Sequence, residues 1–288
     1  NTVTLATGRS TWSLGVQGTW FDVQHTFLPG ATGEYLFSYL PDVKDNAPQR
    51  FQQTVLEDGQ DPGISFNVVQ AGAFVQNLVE VGHGLTLRMG LRLDAPFVLD
   101  TPEENETISR FFGRSTSEVP SGMALFSPRI GFNWQGGGHL RTQLRGGAGI
   151  FTGQLPYVWL ANGFHNTGLR SVTRVCEGRW TDDPLTGNTA PRFDPTAANP
   201  TCLAGAPDMV RVVTLFEDGF KYPQFAKLSA ALDQELTASL SASVGFIFSH
   251  SINQMLLREL NITPREDGLL SLAGYGGTDR VRFGFPRD

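Results

Sequence analysis

Residues 85 to 94 read Leu85-Thr86-Leu87-Arg88-Met89-Gly90-Leu91-Arg92-Leu93-Asp94, and this stretch decides the fold. Every odd position carries a large apolar residue, and every even position carries Thr, Arg, Gly or Asp. A period of two is the repeat of a β-strand, because successive side chains of a strand point to opposite faces. The stretch is therefore predicted to be a strand with one apolar face and one polar face.

Other segments of the chain support a fold made of such strands. Residues 64 to 80 form the preceding strand, and the break Val81-Gly82-His83-Gly84 joins the two as a hairpin. Six further segments alternate in the same way, which predicts about eight strands in all. They lie at 1–6, 10–27, 126–134, 140–150, 227–235 and 239–248.

The connections between these strands fall into two length classes that alternate along the chain. The short ones lie at 7–9, 81–84, 135–138 and 236–238, and the long ones lie at 28–63, 95–124, 153–222 and after 249. In an antiparallel meander, alternate connections lie at the same end of the sheet, so all long loops are predicted on one side. Short periplasmic turns opposite long extracellular loops are typical of outer-membrane barrels.

The strands also have the length and the sidedness that a membrane requires. Most span about ten residues or more, which is enough to cross the apolar band of a bilayer when tilted. Charged side chains share one face of their strands, where we expect a hydrated interior, and the opposite face is expected to contact lipid. The charged residues are Arg88, Arg92, Asp94, Arg141, Arg145, Lys227, Asp233 and Glu235. The predicted fold is an all-β membrane protein, a transmembrane antiparallel β-barrel with long extracellular loops.

Composition excludes several other classes of protein. Lys and Arg together number 22 against 28 Asp and Glu, which gives a formal charge of −6 and no basic block for a nucleic-acid backbone. No run of about 18 apolar residues is present, so no transmembrane helix is predicted. The N-terminal residues carry neither a basic nor an apolar signal-peptide region.

The two cysteines, Cys176 and Cys202, both lie in a segment rich in Pro, Gly, Asp and Asn. This setting favours a loop disulfide in an oxidising compartment over a metal site, which would need more ligands nearby. Two unrelated free thiols are the alternative.

Five segments resemble, in this order, the barrel of TonB-dependent outer-membrane receptors, and the closest resemblance is to the Oar-like branch, whose members carry a carboxypeptidase-regulatory-like domain. The resemblance covers residues 66 to 262 and is most specific between 126 and 168. The segments are Gly90-Leu91-Arg92-Leu93-Asp94, Phe126-Ser127-Pro128-Arg129-Ile130-Gly131-Phe132-Asn133-Trp134, Thr142-Gln143-Leu144-Arg145-Gly146-Gly147-Ala148-Gly149-Ile150-Phe151, Tyr157-Val158-Trp159-Leu160-Ala161-Asn162 with Asn166-Thr167-Gly168, and Ala231-Leu232-Asp233-Gln234-Glu235-Leu236.

The resemblance implies a receptor of the Gram-negative outer membrane that imports a scarce extracellular substrate with energy from the TonB complex. Within 1–288 we find only a partial barrel, about eight strands of a larger one, without a plug domain, signal peptide or C-terminal closing strand, so the chain is expected to be an internal part of a longer receptor. The TonB complex would then act through a plug domain outside this sequence.

No catalytic, cofactor or metal-binding constellation is predicted, because the histidines are scattered singly and no nucleophile elbow is present. Aromatic residues of the longest loop are candidate ligand contacts, although packing within the loop is an alternative for each of them. They are Tyr157, Trp159, Phe164 and Trp180.

Three alternatives to the receptor hypothesis remain open from the sequence. The first is a self-sufficient eight-stranded outer-membrane barrel that acts as an adhesin or a pore. The second is a soluble carbohydrate-binding or hydrolytic β-sandwich. The third keeps the barrel but gives it a role in surface attachment instead of import.

Overall fold

A computed structural model describes residues 1–138, 140–154, 156–178 and 189–260, together with the backbone of residues 262–264 and 270–272. Asn1–Asn253 form one compact unit, and Gln254–Asp288 form a second. The strands of the described part are β1 (Thr2–Thr7), β2 (Ser10–Thr26), β3 (Glu34–Leu36), β4 (Arg50–Leu56), β5 (Gly63–Gly82), β6 (Leu85–Val98), β7 (Leu125–Gly136), β8 (Thr142–Thr152), β9 (Ser171–Glu177), β10 (Asp208–Val210), β11 (Gln224–Thr237), β12 (Leu240–Asn253), β13 (Ile262–Pro264) and β14 (Leu270–Leu272).

Three helices accompany these strands in the described part of the first unit. They are α1 (Leu40–Lys44), α2 (Glu106–Phe112) and α3 (Tyr157–His165). Within the described ranges, no helix is long and apolar enough to cross a membrane. The second unit contains β13 and β14, which pair with each other as an antiparallel hairpin.

An eight-stranded antiparallel sheet dominates the first unit, in the order β1-β2-β5-β6-β7-β8-β11-β12. The eight strands predicted from the alternation are thus confirmed, and several extend further than predicted, as β6 does to Val98.

The short connections all lie at one end of this sheet. The long ones lie at the other and are named loop 1 (27–62), loop 2 (99–124) and loop 3 (153–223). In the described part of the chain β1 and β12 form the two edges, so these eight strands do not close on themselves.

The hairpin between β5 and β6 turns through His83 and Gly84. Both residues have positive φ, 51° and 77°, which is the backbone of the two-residue turns that match the twist of paired strands. A Cβ on Gly84 would lie 1.9 Å from the backbone oxygen of Gln135 on the neighbouring β7. Only glycine therefore allows the turn to approach β7 so closely.

The register separates the two kinds of side chain onto opposite faces of the sheet. Leu91 on β6 is paired with Val75 on β5 and Pro128 on β7, and these three lie on the apolar face. Leu91 is 43% exposed and Leu144 is 38% exposed, so the large aliphatic side chains are not collected in a dry centre. We conclude that the apolar face is the outer, lipid-facing surface of the sheet.

The polar face is called the lumen face. One row across it runs through Ser13, Gln76, Gly90, Arg129, Gly149, Lys227 and Ser249 on seven neighbouring strands. At its loop end this face becomes apolar and buried, where Phe66 and Val68 are 1% and 0% exposed. The fold is therefore a transmembrane antiparallel β-barrel sheet with a polar interior.

The long loops are more ordered than the sequence predicts. Residues 28–63 and 153–222 were expected to be irregular, yet they contribute β3, β4, β9 and β10 to a second, four-stranded sheet. In that sheet β4 pairs with β9, more than a hundred residues away. The expectation that these loops are irregular was therefore wrong. Strands of three to seven residues give too short an alternation to recognise, and their partners are remote in sequence.

Candidate functional site

The candidate site is the lumen together with the loops that cover its open end. On the lumen face, Arg92 pairs with Asp94 at 2.7 Å and also donates to Oε1 of Gln17 on β2 at 3.3 Å. Further along the sheet, Arg145 on β8 pairs with Asp233 on β11 at 3.0 Å. These partly exposed pairs each contribute at most about 1 kcal/mol. Their main consequence is a hydrated, charged wall.

Helix α3 of loop 3 folds onto the lumen face at its loop end. Phe164 stacks on Phe66 of β5, with ring centroids 4.5 Å apart and an interplanar angle of 5°. Tyr157 lies 5.1 Å from Phe21 of β2, and its hydroxyl oxygen accepts a hydrogen bond of 2.8 Å from Nε2 of Gln70. Helix α3 is thus fixed against the wall from both of its ends.

Burial raises the pKa of two tyrosines of loop 3. The loss of solvent around Tyr157 raises the pKa of its phenol, and the hydrogen bond from Gln70 opposes that shift only in part. Burial likewise raises the pKa of Tyr222, whose hydroxyl donates to the backbone oxygen of Pro120 in loop 2 at 3.2 Å. Both phenols therefore serve as neutral hydrogen-bonding groups at physiological pH.

The three long loops are bonded to one another and form a single structure, here named the loop cap. Arg170 of loop 3 donates to the backbone oxygens of Asp61 and Gly63, at 3.0 and 3.2 Å, and lies 3.6 Å from the carboxylate of Glu103 in loop 2. Asn105 of loop 2 donates to the backbone oxygen of Thr167 at 2.9 Å. One arginine thus joins loop 3 to both of the other loops.

The outer part of the loop cap has its own small core around a disulfide. Cys176 on β9 is bonded to Cys202, which confirms the predicted bridge. Phe51 of β4 and Ala190 pack beside Cys176 and are at most 1% exposed. Tyr35 packs against this cluster, and burial raises the pKa of its phenol, with the nearby Asp194 carboxylate adding to the shift.

The predicted ligand contacts occupy different environments. The rings of Tyr157 and Phe164 pack against the barrel wall, and Phe164 is only 7% exposed. Trp159 is half-buried in α3, and Trp180 lies outside the described residues. Their binding of a ligand remains a prediction.

Neither helix α3 nor the role of Arg170 was predicted from the sequence. A proline immediately before Tyr157 was the available signal for the start of a helix, because proline is favoured at helix N-termini. No local signal marks Arg170, since its partners come from two other loops. Among the described residues, no group of three or more His, Cys, Asp or Glu is placed to hold a metal ion.

Comparison with known proteins identifies one family. A family model described as "Outer membrane beta barrel domain" matches residues 1–282, which is nearly the whole chain. No curated protein and no solved structure matches the chain.

Proposed function

The chain belongs to the outer membrane beta barrel domain family, and on that premise we propose that it is the barrel of a TonB-dependent receptor. It is a protein of the outer membrane, with its apolar strand faces in the bilayer. The proposed receptor binds a scarce substrate at its extracellular loops and imports it. Energy would come from the TonB complex acting through a plug domain. The assignment to this receptor class, and to its Oar-like branch, rests on the resemblance of residues 66 to 262.

The observation that supports import most strongly is the loop cap and its attachment to the lumen wall. Phe164 stacks on Phe66, and Tyr157 bonds to Gln70, so α3 covers part of the lumen at the end where a solute would enter. Such a cover restricts free diffusion through the lumen, which favours a receptor over an open pore. A receptor needs an external surface for capture and a barrier that prevents free leakage, and the loop cap supplies both elements.

The soluble β-sandwich alternative is wrong, because the family to which the chain belongs is one of the outer membrane. A pore, an adhesin and a surface-attachment protein remain as alternatives within that membrane. Each differs from a receptor in what it does to solutes, so transport measurements separate them.

The test uses cells that express the full-length gene in a defined medium, with depletion of each medium component followed by mass spectrometry. A protonophore is added to one half of each culture, and the purified protein is examined in planar lipid bilayers. The receptor hypothesis predicts depletion of at least one component that stops with the protonophore, and no steady conductance.

Other outcomes would reject the proposal in favour of a stated alternative. A stable conductance, with solute entry that the protonophore does not change, would identify a pore. Absence of any expression-dependent depletion, with cells that adhere to a surface more strongly, would identify an adhesive or attachment role. A strain lacking the TonB complex serves as the control, because uptake through the proposed receptor must fail there as well.

A further inference from the structure

The lumen face carries a second feature, at the centre of the sheet and away from the helix α3 contacts. A cavity of 460 Å³ opens there between β6, β7, β8 and β11. Its floor is bare backbone at Gly131 and Gly147, which are paired with each other across β7 and β8. Side chains that form its walls on the lumen face are Arg88, Arg129, Phe151, Lys227, Ser229 and Ile247.

Close packing of the sheet restricts Gly147 of the floor, and the nearby Gly149, to glycine. A Cβ on Gly147 would lie 2.9 Å from the backbone oxygen of Ile130, and a Cβ on Gly149 would lie 2.9 Å from the Cβ of Arg129. Larger residues at these positions would therefore strain the sheet as well as fill the cavity. The result is a recess on a wall that is otherwise lined by long side chains.

Three cations surround the recess, and in the described part of the protein none of them is paired with a carboxylate. This distinguishes Arg88, Arg129 and Lys227 from Arg92 and Arg145 of the same face, which have Asp94 and Asp233 as partners. The register places Arg129 and Lys227 on either side of Gly149 in one row. Like charges on one face of a sheet repel one another, so a bound anion would relieve this repulsion.

Phe151 holds two of these cations near the recess. The guanidinium carbon of Arg129 lies 5.5 Å from its ring centroid, and Nζ of Lys227 lies 5.7 Å from it. Cations are attracted to the face of an aromatic ring at such distances, so the ring positions both head groups with no negative charge to neutralise them. Their hydrogen-bond donors remain available to a solute in the lumen.

We propose that Arg88, Arg129 and Lys227 form an anion-binding site on the lumen wall, which takes a small solute bearing a carboxylate or phosphate group. The cavity volume lies within the range of small-molecule sites. Guanidinium groups bind carboxylate and phosphate oxygens through paired hydrogen bonds, and the lysine adds a point charge. The site lies between the loop cap and the short turns, so an anionic solute that crosses the lumen would meet it on the way.

A small solute is favoured over an acidic protein segment by the size and shape of the recess. A cavity of 460 Å³ floored by two glycines accommodates one compact group, whereas an extended segment would need a groove that continues along the wall. Equilibrium binding of an anion at this site does not require energy-dependent import. Failure of the anion-site proposal would therefore leave the proposed receptor function intact, and failure of the receptor function would leave the anion site intact.

The experiment is isothermal titration of the full chain, purified in detergent at low ionic strength, with inorganic phosphate and with citrate as probes. Arg129→Gln and Lys227→Gln remove one charge each from the site. The control variant is Arg145→Gln, which removes one charge from the same face but lies outside the recess. We expect saturable binding by the unmodified protein, about tenfold weaker binding in either site variant, and affinity unchanged within about twofold in the control.

Three results would overturn the proposal. One is the absence of saturable binding of either probe to the unmodified protein, which is also the result expected if an acidic protein segment fills the recess. Another is equal affinity in the unmodified protein and both site variants. The third is an equal loss of affinity in the control, since that would identify a general effect of charge. The substituted side chains are solvent-exposed, so each variant should still fold. Circular dichroism and heat-dependent electrophoretic mobility check this.

Discussion

Replacing Leu91 by Arg tests whether the apolar face meets lipid. Leu91 lies midway between Leu85 and Phe97, the ends of the apolar face of β6. At a rise of about 3.3 Å per residue and a tilt of about 45°, it lies about 14 Å from either end and therefore near the membrane midplane. Its cross-strand neighbours, Val75 and Pro128, have no polar side chain that could bind a guanidinium. Arginine at the midplane costs about 2 to 4 kcal/mol.

The matched control is Gln76→Arg, which introduces the same side chain on the lumen face. Gln76 lies on β5 opposite Gly90, one residue from Leu91 in depth. Its new guanidinium would stay in water, so we expect a cost within about 1 kcal/mol. A small part of that cost is repulsion from Arg129 on the next strand but one.

The assay is a urea titration of each full-length variant in lipid vesicles, followed by tryptophan fluorescence, with the free energy of unfolding taken from the linear dependence on denaturant. The expected ranking places Leu91→Arg well below the unmodified protein and Gln76→Arg close to it. A larger loss for Gln76→Arg than for Leu91→Arg would mean that the two faces of the sheet are inverted. Equal small losses would mean that β6 does not cross hydrocarbon.

Three further predictions concern the loop cap. Substituting Cys176 and Cys202 together by Ala should lower the stability of the outer loops by about 3 to 4 kcal/mol, given a sequence separation of 26. Proteolysis of these loops should become faster, while the unfolding midpoint of the barrel stays unchanged. Equal cleavage rates in the two proteins would contradict this prediction. Phe164→Ala should lower the stability of the α3 packing by about 3 to 5 kcal/mol and release α3 from the wall. Permeation of a chromogenic β-lactam into cells should then rise, and unchanged permeation would show that α3 is no barrier. Hydrogen bonds from three serine residues lower the pKa of Glu104 from 4.5 to about 2, so its carboxylate stabilises loop 2 above about pH 4.5, and this contribution is lost as the pH falls through 2. The rate of hydrogen exchange in α2 should therefore differ between the unmodified protein and Glu104→Gln at pH 5 and become equal near pH 2. A difference that persists near pH 2 would refute the assignment.

The sequence by itself determined the eight strands, their two faces and the side on which the long loops lie. These follow from a period of two and from the lengths of connections, both of which are local properties of the chain. The same reasoning placed Arg88 and Leu91 on opposite faces, and the register confirms it. The disulfide was also predicted, because only two cysteines are present and both lie in one loop.

Only the tertiary structure decided how the loops are organised and which charges are left unpaired. Strand β4 meets β9 across more than a hundred residues, and Arg170 joins three loops, so neither contact leaves a local pattern in the sequence. The pairing of Arg92, and the lack of a carboxylate partner for Arg129 among the described residues, depend in the same way on which side chains the register brings together. Local periodicity fixes which face a side chain occupies, whereas its partners are set by contacts between distant parts of the chain.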